Sequence, residues 1–332
     1  MGGPPSAGPY STVRAAAGRE KAELLPRKDL SQAEHSPWCH AERVAGSAHL
    51  RELGEFLRHR RGELTPAQVG LPERGTTQRR VQGLRREEVA QLAAISTDYY
   101  VRIEQGRLAP SQPVLDALAR ELRLDGDQRT YVEGLVDQAA RTGHRAAPRR
   151  AARPRVHPHL TRLLGQLTDT PAIVFGPRLD ILAWNPLAAR LLCDFGAVPE
   201  ARRNYVRMVF TDPAMREIYP AWEDVARTCV EVLRMEAGTS PADPALTALV
   251  GELSVADQHF RVWWAEHRVA HQDFGSKRIA HPVVGDLTLD WDTFRYVGAP
   301  EQQLVLWSAE PGTPDAARLT ALARRPAQHP GG

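Results

Sequence analysis

The sequence predicts two folded units of different class, an all-α domain followed by an α+β domain. Between residues 48 and 138 apolar side chains recur at helical spacing, with no strand pattern among them. From residue 159 to 325, helical runs alternate with short apolar runs that turn at Gly and Pro. Between the two, Arg141, Arg145, Arg149, Arg150, Arg153 and Arg155 occur with no acid among them, together with Pro148, Pro154 and Pro158. A basic, Pro-containing stretch of this kind reads as a tether over residues 141–158.

The elements follow in order. Residues 1–46 hold no persistent period, with Pro4, Pro5 and Pro9 among Gly, Ser and Ala, and read as a disordered tail. Residues 48–140 form the helical domain. Leu50, Leu53, Phe56 and Leu57 give its first helix one apolar stripe, and Pro66, Gly70, Pro72 and Gly75 break the chain after it. Three short helices are predicted next, over Arg85–Ala93, Ser96–Gln105 and Pro113–Leu122, the last with Ser111 as N-cap and Pro113 in its first turn. A fifth, from Gln128 to about Ala139, carries Tyr131, Val132, Leu135 and Val136.

Residues 159–312 form the α+β domain, and 313–332 a C-terminal helix and tail. Ala172–Phe175 and Leu179–Trp184 read as a strand pair turning at Gly176-Pro177, and Asn185-Pro186 caps a helix. Helices are predicted over 200–210, 213–237, 244–253 and 255–268. Strands Lys277–Val284, Asp286–Tyr296 and Gln303–Ser308 close the unit, with Gly285 as a tight turn. The expected architecture is five strands with helices packed on one side.

Charge divides the chain in the same places. Residues 47–156 carry 20 basic and 14 acidic side chains, whereas 157–332 carry 17 and 21. The helical domain and tether therefore suit a polyanionic partner, and the second domain does not. The three cysteines are scattered too widely for a disulfide framework or a metal knuckle. No apolar run is long enough to span a membrane, and the first residues lack the layout of a secretory signal, so a cytoplasmic protein without membrane contact is expected.

The most specific signal is Arg85-Arg-Glu-Glu-Val-Ala-Gln-Leu-Ala-Ala-Ile-Ser-Thr-Asp-Tyr-Tyr-Val-Arg-Ile-Glu-Gln-Gly106. Two short helices join through the small-residue turn Ala94-Ile95-Ser96, and Val89, Ala90 and Ala93 let them cross closely. This is helix-turn-helix architecture, whose second helix enters the major groove of double-stranded DNA. Ser96 caps that helix, and Thr97, Asp98 and Arg102 fall away from its apolar stripe. Arg102 suits bidentate contact with guanine, Thr97 a thymine methyl or a phosphate, and Asp98 a cytosine amine or the helix N-terminus. Tyr99, Arg86, Arg79 and Arg80 are placed to hold phosphates.

Those residues also carry a resemblance. Gly83-Leu-Arg-Arg-Glu-Glu-Val-Ala-Gln-Leu-Ala, Tyr99-Tyr100 and Glu104-Gln-Gly-Arg107 resemble the lambda-repressor-like (XRE, Cro/cI-type) DNA-binding domain, and more narrowly its MmyB-like branch of high-GC bacteria. Ala183-Trp-Asn-Pro186, Arg203-Asn204, Trp264, His267 and His281-Pro-Val-Val-Gly285 are similar to that branch's C-terminal ligand-binding domain. The resemblance implies a five-helix DNA-binding domain joined to a PAS-like sensor, acting as a homodimeric transcription regulator. It also implies a small apolar ligand, such as a fatty acid, held between a helical layer and the sheet.

Trp184, Asn185, Asn204, Trp222, Cys229, Leu233, Trp264 and His267 are the candidate ligand-binding residues. Cys229 and Leu233 lie, with Ala226 and Val230, on the apolar face of the long helix predicted over 213–237. Aromatics line ligand pockets and also fill ordinary cores. His267 and His271 are spaced i, i+4, but no HExxH order or third ligand accompanies them, so structural histidines are expected and no metal or cofactor is assigned. His281, ahead of Pro282, is expected to hydrogen-bond at a strand end. Asp290 and Asp292 flank Trp291 on one strand face as solvated carboxylates. No convergent catalytic set appears, so the chain is expected not to be an enzyme. The alternatives are an enzyme, or a protein-recruiting module, tethered to DNA by the helix-turn-helix.

Overall fold

The computed structural model describes residues 37–72, 83–142 and 155–325. The predicted phosphate contacts Arg79 and Arg80 lie outside them, as do residues 1–36 of the tail and most of the tether.

Five helices form the first unit: α1 (Pro37–Glu63), α2 (Arg86–Leu92), α3 (Thr97–Glu104), α4 (Gln112–Glu121) and α5 (Gly126–Thr142). The expectation of a structureless segment through residue 46 is corrected, because α1 begins at Pro37. Proline suits a first helical turn, and Ala41-Glu-Arg-Val-Ala45 is helix-compatible sequence whose mixed polarity hides any stripe. The α1 stripe of Leu53, Phe56 and Leu57 packs with Val89, Tyr100, Ile103, Leu115, Leu118, Val132 and Leu135 in one buried cluster. Two glycines let the helices approach this closely. A Cβ on Gly54 would lie 2.3 Å from the Glu104 carbonyl oxygen, and one on Gly106, at φ +67, 2.7 Å from Arg51 Cα. Ser111 holds the N-cap position of α4, but its hydroxyl makes no capping hydrogen bond.

The second unit is built on a five-stranded antiparallel sheet in the order β2-β1-β5-β4-β3, the PAS-like arrangement. Its strands are β1 (Ala172–Phe175), β2 (Ile181–Trp184), β3 (Phe274–His281), β4 (Gly285–Arg295) and β5 (Gln303–Ser308). Its helices are α6 (Pro158–Gln166), α7 (Pro186–Leu191), α8 (Tyr205–Thr211), α9 (Pro213–Ile218), α10 (Trp222–Ala237), α11 (Pro244–Ala256), α12 (Gln258–Ala265) and α13 (Pro314–Ala323). One sheet face, through Ile173, Phe175, Ile279, Leu289, Trp291 and Trp307, packs against side chains of α7 to α12.

Several expectations are corrected here. Helices do not cover one face alone: Leu160 and Leu164 of α6 pack on Ala172, Val174 and Leu304 on the opposite face. The run 213–237 is two helices, because Pro220 has no N–H to donate and Tyr219 before it turns extended at φ −107, ψ 98. The third strand ends at His281, ahead of Pro282, rather than at Val284. The helical run 200–210 begins only at Tyr205, where Asn204 caps it, and Glu200–Arg202 is a short 3-10 turn. The C-terminal helix α13 is not an appendage, since Leu319 and Leu322 join the domain core.

The predicted helix 255–268 starts after Asp257, whose Oδ1 accepts from the backbone N–H groups of His259 at 2.7 Å and Phe260 at 3.1 Å. It stops at Ala265, and His267 sits at φ +50. His267 and His271 therefore do not share a helix face. No group of three or more potential metal ligands occurs among the described residues.

Candidate functional site

The helix-turn-helix forms as its small residues require. Val89 and Ala90 of α2 are buried against α3, and the turn passes through Ala94 at φ +54. Ser96 Oγ accepts from the Tyr99 N–H at 3.2 Å and so fixes the N-terminus of α3. Tyr100 and Ile103 face the core, while Thr97, Asp98 and Arg102 are exposed and Tyr99 is half-buried. Arg102 makes no ion pair with any described residue, so its guanidinium faces solvent from the recognition helix.

Arg86 is differently placed from the sequence expectation. Its Nε donates to Glu104 Oε1 at 2.9 Å, and a second guanidinium nitrogen lies 2.8 Å from the same oxygen. Glu104, at the C-terminus of α3, is 1% exposed. It also accepts from Arg61 of α1, at 2.9 Å by Nε and 3.1 Å by the terminal nitrogen, while Arg58 stands at 3.6 Å. Arg61 donates onward to the Leu84 carbonyl at 2.7 Å. Burial alone would raise the Glu104 carboxyl, but the hydrogen bonds from Arg61 and Arg86 outweigh it and hold it below the ordinary carboxylate range. Arg86 thus ties α2 to α3 and leaves part of its guanidinium at the surface. The Glu104 cluster was not legible beforehand, because three helices distant in sequence supply it.

The two domains meet along α1, α5 and α10. Arg234 of α10 is 3% exposed, and its guanidinium donates to Glu52 of α1 at 2.7 Å and to the Trp264 carbonyl. It stacks 4.1 Å from the Trp264 ring centroid. Glu52 also accepts from the Tyr131 hydroxyl of α5 at 2.8 Å. His267 Nδ1 lies 3.1 Å from Arg234. Desolvation, with Arg234 and His59 nearby, pushes the His267 imidazole down to about 3, so it stays neutral. Met235 and Val269 of the second unit are buried within the core cluster of the first.

The predicted ligand residues do not form one set. Asn185 and Asn204 are structural. Asn185 Oδ1 accepts from the N–H groups of Ala172 and Ala188, and its Nδ2 donates to the carbonyls of Leu167 and Thr170, which saturates the side chain. Asn204 Oδ1 accepts from the Arg207 N–H, and its Nδ2 donates to the Arg178 carbonyl and Asp180. Trp264 and His267 belong to the domain seam. Trp184, Trp222, Cys229 and Leu233 do line the large core between sheet and helices. Trp222 is fixed there by donation from Nε1 to the Val209 carbonyl at 2.8 Å. His281 hydrogen-bonds as expected, with Nε2 at 2.9 Å from the Arg190 carbonyl and Nδ1 accepting from Val283 and Val284.

A helix-turn-helix presenting free polar side chains, docked through the Arg234–Glu52 ion pair onto an α+β domain with a large apolar core, defines a DNA-binding transcription regulator with a separate ligand-binding module. The comparisons with known families agree. Residues 52–131 match the helix-turn-helix domain model, and residues 156–322, just over half the chain, match the MmyB-like transcription regulator ligand binding domain. The chain belongs to the MmyB-like transcription regulators. No curated protein matches it significantly. No helix among the described residues is long and apolar enough to cross a membrane.

Proposed function

We propose that the protein is a one-component regulator acting as a homodimer. One α3 from each protomer reads one half-site of a roughly palindromic operator. Thr97, Asp98 and Arg102 read base edges, while Ser96, Tyr99, Arg79, Arg80 and the free edge of Arg86 hold phosphates. A small apolar ligand, such as a fatty acid, enters the core between the sheet and α8 to α12. Its binding shifts the population of DNA-competent dimers.

The observation that carries this reading is the free, exposed Arg102 on a helix whose other face is locked into the core. Binding the full chain to duplexes from upstream of its own gene, and to scrambled duplexes, tests it by fluorescence anisotropy at two salt concentrations. The reading expects tight binding to the upstream duplex, weakening with salt by several phosphate charges. Absence of binding to any duplex at low salt contradicts it.

A further inference from the structure

The helices of the second domain leave half of one sheet face open. On the face away from the large core, α6 lies over β1 and β5, with Leu160 and Leu164 on Ala172, Val174 and Leu304. β4 and β3 complete the sheet beside them. Asp290, Asp292 and Phe294 of β4 point to this outer face, because side chains alternate along the strand and Phe294 pairs with Leu304. Phe274 of β3 pairs with Asp292 and so shares the face, one diagonal step from Phe294. No described element buries the two rings: Phe274 is 76% exposed and Phe294 52%.

Two aromatic rings left in water side by side mark an interaction surface. The charges around them define its partner. Asp292 adjoins both rings and Asp290 follows on the same strand face, and neither forms a hydrogen bond or ion pair with any described residue. The exposed side of α6 carries His159, Arg162, Leu163 and Gln166 at helical spacing. Arg162 is likewise without a hydrogen bond or ion pair to any described residue, and Leu163 is 38% exposed. One half of the face is therefore aromatic and acidic, and the helix on the other half is apolar and basic.

The shapes match as well. α6 stands on the sheet as a ridge about 10 Å thick, and β4 with β3 forms a shelf about 10 Å wide beside it. A two-fold axis parallel to the strands, between α6 and β4, turns one outer face onto the other. We infer that a second copy of the chain covers this face, with α6 of each protomer seated on β4 and β3 of its partner. Leu163 then meets the partner's Phe274 and Phe294, and Arg162 meets the partner's Asp290 and Asp292, twice per dimer. The inference rests on the homodimer reading above and assigns the surface that forms the dimer.

Sedimentation velocity of the full-length chain over a concentration series measures the dimer, with circular dichroism and thermal melting as the check on folding. The variants are F274E/F294E, R162E, D290R/D292R and the combined R162E/D290R/D292R. All these positions are exposed, so the fold is expected to persist. The expected result is a wild-type dimer whose dissociation constant rises about tenfold or more in F274E/F294E. It is expected to rise also in each one-sided charge reversal, and the combined reversal is expected to recover most of the wild-type affinity. A wild-type dimer unchanged in F274E/F294E overturns the inference, leaves this face to another occupant and keeps the homodimer reading standing. Failure of the combined reversal to recover the affinity lost in R162E also overturns it. A wild type that is monomeric at every concentration overturns both the inference and the homodimer reading.

Discussion

Arg234 of the ligand-binding domain donates to Glu52 of the DNA-binding domain at 2.7 Å, and both reach elements that matter for function. Glu52 lies on α1, the helix that also supplies Arg61 to Glu104 at the end of the recognition helix. Arg234 lies on α10, five residues beyond Cys229 in the apolar core. A chain of contacts thus runs from α10 through the Arg234–Glu52 pair and α1 to the end of α3.

Breaking that pair leaves a desolvated charge. Arg234→Met leaves the Glu52 carboxylate with the Tyr131 hydroxyl but no cation beside it, and Glu52→Gln leaves the Arg234 charge uncompensated at 3% exposure. Each single change is expected to destabilise the protein by about 3 kcal/mol, as for other buried pairs. The double variant is expected to lose less than the sum of the two, because neither charge remains alone. Chemical denaturation of the four proteins checks this. Additive losses would show that the two side chains do not interact.

The seam also carries a pH dependence. The His267 imidazole is pushed down to about 3 in the folded protein, whereas an exposed histidine in the unfolded chain titrates near 6.5. Between these values the unfolded state holds a proton that the folded state does not. This contribution is therefore complete above about pH 6.5 and is lost as pH falls toward 3. Denaturation midpoints measured from pH 7.5 to 5 should fall, and His267→Gln should flatten the fall. An unchanged slope in H267Q would contradict the assignment.

Glu104 gives a second acid-sensitive contact with a lower window. Its carboxyl is held below the ordinary range by Arg61 and Arg86, so its contribution is present at neutral pH and is lost as pH falls through the folded value. Glu104→Gln leaves two guanidinium groups without their shared anion and is expected to cost about 3–5 kcal/mol. Helical content near α2 and α3, followed by hydrogen exchange, is the readout. Protection there is expected to drop in E104Q, while the sheet of the second domain keeps its protection.

The sequence made some of this architecture readable and concealed the rest. The helix-turn-helix was legible because its signals are local: small residues at the crossing, a Ser cap and polar residues on one face. The five strands were legible from alternation and from Gly and Pro at their ends. Asn185 was legible as a helix cap but Asn204 was not, and the further partners that saturate both side chains are groups brought near by the fold. The Arg234–Glu52 pair spans 182 residues and carries no local pattern.

The central claim is that α3 reads base sequence through Arg102. Selection of bound duplexes from a randomised pool, carried out with the wild type, R102A and R86A, tests it most directly. The wild type is predicted to enrich a roughly palindromic motif. R102A should bind with about 1–3 kcal/mol less discrimination at one base pair of each half-site. R86A should keep the motif and bind every sequence more weakly, with its folding stability lowered through Glu104. A motif from R102A identical to that of the wild type, or no enrichment by the wild type at low salt, would contradict the account.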